Sequence, residues 1–137
     1  MMRKQQKQMV GALIMWVALL LLVYFLLGSD DVDRRKCPYK VAGNSQANLS
    51  IKYFGNPYCI WCIILEPKLK KLEEQKGNSF VISYYDNRYC NEEVKKYGVV
   101  AVPFFVFNDS IKEVRHPGYL EDADLRSIIC QATGDCA

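Results

Sequence analysis

Histidine is nearly missing from this chain of 137 residues: His116 is the only one, and no second Cys-x-x-Cys or His-x-x-x-His accompanies Cys59-Ile60-Trp61-Cys62. A closed structural zinc site takes four ligands from two such pairs, so this motif lacks its other half. His116 stands beside Pro117 in a turn signal and reads as surface filler. Acidic residues are missing from the first 29 positions, where only Arg3, Lys4 and Lys7 carry charge. Asp and Glu number 15 and Lys and Arg 18, so the remainder of the chain is formally neutral. That balance leaves no basic footprint for phosphates and excludes nucleic acid as an expected partner. Lys68, Lys70 and Lys71 form a small basic cluster that reads as the solvated face of a helix. Internal repeats are absent, as are low-complexity tracts outside one apolar run.

That run extends from Val10 to Leu27 without a charge. At 1.5 Å per residue it spans roughly 27 Å as a helix, enough for the hydrocarbon core of a bilayer. Trp16 and Tyr24 are candidate interface anchors. Arg3, Lys4 and Lys7 before the run predict a cytoplasmic N-terminus and an exported remainder, against the opposing pull of Arg34, Arg35 and Lys36. A cleaved signal peptide is the rival reading. The run is longer than the usual apolar region, however, and Leu26-Leu27-Gly28-Ser29 is a poor cleavage site. The expected organisation is a cytoplasmic tail over 1–9, a transmembrane anchor over 10–27, a polar linker over 28–48 and a folded domain over 49–137.

Six cysteines in the exported part fit an oxidising compartment. Cys59 falls where a strand hands over to a helix, so it would sit among unpaired backbone N–H groups at the positive end of the helix dipole. Such a place favours the thiolate, the nucleophilic form. Cys62, one turn on, is close enough to close a disulfide with it. A purely structural bridge or half of a metal site are the blander readings of the motif. If Cys59 pairs with Cys62, three connectivities remain for Cys37, Cys90, Cys130 and Cys136. Cys130 and Cys136 flank Gln-Ala-Thr-Gly-Asp as a staple across a turn, which leaves Cys37 and Cys90 to each other. Cys90 also opens a helix, so a relay thiol exchanging with the active pair is a second role for it.

The hydrophobic pattern predicts a strand over 51–54, a helix from Tyr58 or Cys59 to about Gln75 containing Pro67, and a strand over 80–85. A short helix capped by Asn91 and stopped by Gly98 follows. Phe104–Phe107 reads as a strand buried on both faces, Ile111–Arg115 as an antiparallel return, and Glu121–Cys130 as the last helix. Tyr39, Tyr84, Tyr85, Phe104 and Phe105 read as strand and core residues rather than a ligand platform. The alternation makes an α/β fold, a central mixed sheet flanked by helices, with its first pairings parallel.

This order and these motifs resemble the thioredoxin superfamily over roughly residues 49–130. The Cys-x-x-Cys starts the first domain helix; Pro67 matches the family's kinking proline, Val102-Pro103 its cis-proline loop, and Gly118 with Leu125 its last strand-to-helix join. The resemblance implies a thioredoxin-like fold in which Cys59 and Cys62 are the redox pair. It also implies that Tyr58, Ile60, Trp61, Val102 and Pro103 line the place where a client binds, with Val102 offering its backbone to the client's strand. No bound cofactor is needed. Departures stand beside the matches. Tyr58 and Ile60-Trp61 replace the family's usual tryptophan and Gly-Pro, and no histidine lies between the cysteines. Tyr53 replaces the buried aspartate that helps deprotonate the second cysteine, which leaves Glu66 or water to serve Cys62. The expected function is disulfide exchange with client proteins carrying thiols or disulfides, by an enzyme tethered to the membrane beside a membrane redox partner. A non-catalytic stapled binding module and, more weakly, a copper(I) chaperone using the two thiolates are the opposing classes.

Overall fold

The computed structural model describes residues 2–26 and 32–136, with side chains from residue 10 in the first segment to residue 23. The chain divides into two units, Met1–Asp31 and Val32–Ala137.

The first unit holds helix α1, Met2–Leu26. Its described side chains, Val10 to Val23, are all exposed. Among the described residues no helix is long and apolar enough to cross a membrane. The run read from the sequence ends at Leu27, outside the described residues.

The second unit carries β1 (Lys40–Gly43), β2 (Leu49–Gly55), α2 (Ile60–Lys76), β3 (Phe80–Asp86), α3 (Asn91–Tyr97), β4 (Phe104–Asn108), β5 (Glu113–Pro117) and α4 (Asp122–Thr133). The strands form one mixed sheet in the order β1-β3-β2-β4-β5. Only β2 and β3 run parallel, joined by the α2 crossover, and the other three pairings are antiparallel. β2 is central and its side chains divide between two cores. On one face Leu49, Ile51 and Tyr53 pack with Cys62, Leu65, Leu69 and Leu72 of α2 and with Leu125 and Ile129 of α4. On the other, Phe54 packs with Tyr85, Cys90, Tyr97, Phe104 and Val106 around α3. Each such side chain contributes about 1.5–3 kcal/mol when fully buried, so the two cores lock β2 between them.

Four elements and one pairing differ from the sequence expectation: β4 follows α3 into the sheet antiparallel to β2, where the alternation predicts the first pairings parallel. Residues 40–43, expected within a linker, form edge strand β1 antiparallel to β3, from Lys40 opposite Tyr84 to Gly43 opposite Val81. Lys40 Nζ binds both carboxylate oxygens of Glu73 at 2.9 and 3.0 Å, so an ion pair to α2 joins the contact of Ala42 with the core in holding the strand. Gly43, at φ 88°, then turns the chain away where a Cβ would lie 2.2 Å from the Phe80 carbonyl oxygen. Strand β5 starts at Glu113 rather than Ile111. Asp109 Oδ1 accepts the Ile111 and Lys112 backbone N–H groups at 2.7 and 2.9 Å, which lengthens the turn and leaves Ile111 93% exposed. Asn91 is the first residue of α3 rather than its cap, a position held by Cys90 without a side-chain cap bond. Helix α4 runs past Cys130 to Thr133 and stops at Gly134, at φ 76°.

Candidate active site

The central strand delivers the motif. After Gly55 the chain leaves the sheet through Asn56, whose side chain fixes the loop twice. Its Oδ1 accepts the Tyr58 N–H at 2.9 Å, and its Nδ2 donates to Asn87 Oδ1 at 2.8 Å. Asn87 returns its own N–H to the Gly55 carbonyl at 3.2 Å. The loop after β3 thus clamps the loop after β2. Asp86, fully buried at the end of β3, anchors that clamp through Arg88, whose guanidinium lies 4.8 Å from the Tyr58 ring.

Cys59 occupies the N-cap of α2, and its sulfur accepts the Cys62 backbone N–H at 3.2 Å. This is the anion-favouring position expected from the sequence. The Cys59 thiol is half-buried and lies 3.6 Å from the carbonyl oxygen of Val102, and the Val102–Pro103 bond is cis. The Pro103 carbonyl accepts the Gly118 N–H at 2.8 Å, which ties this loop to the end of β5. Cys59, Cys62, Val102 and Pro103 are therefore brought together. Both motif cysteines are free thiols. Cys62 is fully buried. Burial pushes its thiol up to about 11, the hydrogen bond to Cys59 adds to this, and the Asn56 and Tyr53 contacts act the other way.

Around the pair, Tyr58 is 82%, Ile60 61% and Trp61 54% exposed, an apolar rim around a half-buried thiol. Trp61 leans on Tyr119 at 5.5 Å between ring centres, and Tyr119 is held by Lys68. The Lys68 side chain, read as solvated surface, thus has a specific partner. Cys37 is bonded to Cys90 and Cys130 to Cys136, with Cα separations of 5.6 and 4.5 Å. Cys90 is buried and carries no free thiol for a relay. His116 lies on β5 opposite Phe105, away from the motif. Among the described residues no group of three or more His, Cys, Asp or Glu side chains converges as a metal site would require.

Sequence reading missed how the site's floor is built. Tyr53 is fully buried beneath the motif, and its hydroxyl reaches up under Gly55, where an added Cβ would meet it at 2.5 Å. The sequence signal for this seat is the glycine at the strand's end, Gly55. Glu66, one turn after Cys62, binds Arg34 Nη2 through Oε2 at 3.2 Å, and Arg34 Nη1 donates to the Tyr39 hydroxyl at 3.3 Å.

No curated protein sequence matches the chain. Its backbone is similar to solved thioredoxins. A point mutant of thioredoxin from Halobacterium salinarum NRC-1 shares 24% identity over 65% of this chain and 78% of that one, with a TM-score of 0.58. Mitochondrial thioredoxin 3 from Saccharomyces cerevisiae, in its oxidised form, shares 22% over 63% and 80%, with a TM-score of 0.55. Thioredoxin-2, described as a component of malaria parasite protein secretion machinery, shares 18% over 64% and 86%, with a TM-score of 0.59. These likenesses concern the fold. The thioredoxin family profile matches residues 37–131, which takes in β1, the motif and the cis-proline loop, and the chain belongs to the thioredoxin family.

Proposed function

We propose that the chain is a membrane-tethered, extracytoplasmic thiol–disulfide oxidoreductase that exchanges disulfides with client proteins through Cys59 and Cys62. One observation carries this reading: a half-buried thiol at a helix N-cap, 3.6 Å from the Val102 carbonyl, with a second, buried thiol one turn behind it. In the reducing direction the Cys59 thiolate attacks a client disulfide, forming a Cys59–client bond and releasing one client sulfur as thiolate. Cys62, as thiolate, then attacks Cys59, closes the Cys59–Cys62 bond and releases the second client sulfur. In the oxidising direction a client thiolate attacks the Cys59–Cys62 bond. Either way two electrons pass, and the protein supplies both sulfurs.

Tyr58, Ile60 and Trp61 offer the client an apolar rim, and Val102 offers the backbone groups beside Cys59. The tether is the uncharged stretch from Val10 to Leu27, preceded by Arg3, Lys4 and Lys7. Its exposed apolar side chains, Val10 to Val23, favour lipid around α1. The N-terminus stays cytoplasmic and the domain is exported, where two further disulfides persist. A membrane redox partner, a quinone-linked oxidase or a thiol-reducing transporter, regenerates the pair. Co-purification of neither kind with a trapped Cys62→Ser variant would remove that partner from the scheme.

The deciding experiment is the reduction potential of Cys59–Cys62 in the full chain in detergent, equilibrated against glutathione and dithiothreitol and read by peptide mass. A potential near roughly −120 to −180 mV marks a disulfide donor, and one near about −230 to −270 mV a reductase fed from the membrane. A folded protein that exchanges with no buffer is a stapled binding module instead.

A further inference from the structure

Tyr58 stands directly before Cys59 and is the most exposed side chain of the rim, so left to itself its ring would turn freely. A free ring has to be ordered each time a client is bound, and that ordering weakens binding. The structure removes the freedom from outside the motif. The Arg88 guanidinium lies 4.8 Å from the centre of the Tyr58 ring and 5.0 Å from that of Tyr89, so one cation bears on two aromatic rings.

Arg88 is itself fixed. Its Nε donates to Asp86 Oδ1 at 2.9 Å and its Nη2 to Oδ2 at 2.6 Å, a two-pronged bond to a carboxylate with no exposed surface. Asp86 Oδ1 also accepts the Arg88 backbone N–H at 3.1 Å. The Asp86 carbonyl accepts the N–H groups of Tyr89 and Cys90 at 3.1 and 3.0 Å, and Cys90 is bonded to Cys37. The turn from Asp86 to Cys90 is therefore held at both ends, and it carries the group that steadies the ring before the first motif sulfur. Disulfide exchange at Cys59 and Cys62 does not itself call for this arrangement.

The same turn sets the sign of the charge beside Cys59. From Gly55 to Cys59 and from Asp86 to Cys90, the only charged residues are Asp86 and Arg88. Asp86 is sealed, whereas the Arg88 side chain keeps 30% of its surface in solvent. The charge these two loops turn outward is hence positive. A client segment lying over Tyr58 meets aromatic rings and a guanidinium, and no carboxylate from either loop.

Given the oxidoreductase reading above, we propose that Arg88 determines which clients the chain takes: it presets Tyr58 as a client contact and favours clients with an acidic side chain beside the reacting cysteine. Arg88 is a positioning and specificity residue, and the sulfurs remain the reacting atoms. The charge preference acts between exposed groups and is screened by salt. The presetting of Tyr58 acts on every client, whatever its charge.

The test uses the full chain in a zwitterionic detergent, carrying Cys62→Ser so that the mixed disulfide accumulates, with the two other disulfides verified intact by peptide mass. Three synthetic substrates are symmetrical pairs of peptides joined by one disulfide, with glutamate, alanine or lysine flanking the cysteine. The Cys59 thiolate attacks, the Cys59–peptide bond forms, the peptide–peptide bond breaks, and the second peptide leaves as thiolate with the electron pair. Rates against substrate concentration give a half-saturation and a limiting rate, the latter divided by the rate of the same substrate with dithiothreitol. At low salt the glutamate substrate should half-saturate about fivefold below the lysine one, and the gap should close at about 0.5 M salt. Asp86→Asn with Arg88→Met keeps the backbone acceptor and leaves no charge buried alone. It should erase the gap and raise half-saturation for the alanine substrate about 3- to 10-fold, more than it lowers the limiting rate. Arg88→Lys, which keeps the charge but not the planar group, should keep the gap. Equal half-saturation for the glutamate and lysine substrates with Arg88 in place, or a gap that survives in the double variant, overturns the charge preference. An alanine substrate bound as well by the double variant overturns the presetting of Tyr58. Failure of any mixed disulfide to form with Arg88 in place would instead remove the oxidoreductase reading.

Discussion

Replacing Gly55 by alanine tests how the floor of the site is packed. The added Cβ would meet Tyr53 Oη at 2.5 Å, Cζ at 2.8 Å and Cε1 at 3.0 Å, all well inside van der Waals contact. The ring has little freedom to yield. It is fully buried, with Tyr84 edge-on at 5.5 Å and Phe105 at 5.3 Å between ring centres. Overpacking a filled core costs about 1–3 kcal/mol. Exchanging a strand glycine for alanine offsets roughly 0.5–1 kcal/mol of that through the unfolded chain. The net expectation is a loss of about 1–2 kcal/mol, or roughly a 1 M fall in the urea midpoint at unchanged slope. Unfolding of the full chain in detergent, followed by near-ultraviolet circular dichroism, reads it. Adding Tyr53→Phe removes the nearest atom of the clash, so the double variant should recover part of the loss. An unchanged midpoint in Gly55→Ala would refute the idea that this glycine exists to seat the tyrosine.

Three further outcomes follow from other parts of the molecule. Cys37–Cys90 closes a loop of 53 residues and Cys130–Cys136 one of 6, so chain entropy assigns them about 4 and about 2 kcal/mol. Paired Cys→Ala variants compared by urea unfolding should keep that order, and a costlier short loop would contradict it. Burial alone would raise the Asp86 carboxyl, but the side-chain and backbone bonds with Arg88 outweigh it and hold the group below 3.8. A depressed folded value means that stability is present above the unfolded value of about 4 and is lost as pH falls through the folded one. Asp86→Asn should therefore flatten the stability profile below about pH 4, and a profile of unchanged steepness there would remove Asp86 from the account. Trp61→Ala removes a half-exposed ring and one aromatic contact, worth about 0.5–1.5 kcal/mol in stability, and should raise KM for a client disulfide more than it lowers kcat.

The legible parts of the fold were those with strong apolar periodicity. β2, β3 and β4 are dense in buried side chains and α2 buries Cys62, Leu65, Leu69 and Leu72 at helical spacing, so their order and the parallel β2–β3 pairing followed from pattern and crossover geometry, whereas β4 lies antiparallel to β2 where the alternation predicted a further parallel pair. β1 was hidden because it is short, with two half-buried residues alternating with two exposed ones, and an ion pair to Glu73, distant in sequence, helps to hold it. The register of β5 was hidden because one aspartate side chain sets it from the turn. In the site, the two motif cysteines and the N-cap were visible from spacing, and the cis-proline loop from the resemblance to the thioredoxin superfamily. The seat of Tyr53 under Gly55 was not, because no spacing rule links a tyrosine to a glycine two residues on by shape alone. Nor does sequence show that Arg34 occupies one oxygen of Glu66 and leaves the other bare.

The motif hangs from the central strand, which is paired on both sides and covered on both faces. That has a consequence in time. Amide protons of Tyr53 and Phe54 sit where opening requires separating β3, β4 and both cores at once, so their hydrogen exchange should proceed only through global unfolding. The loop that carries Cys59, by contrast, is stapled by a handful of side-chain bonds to its neighbour after β3. A frame that opens on the slowest timescale of the molecule thus holds the start of α2, and with it the spacing of the two sulfurs.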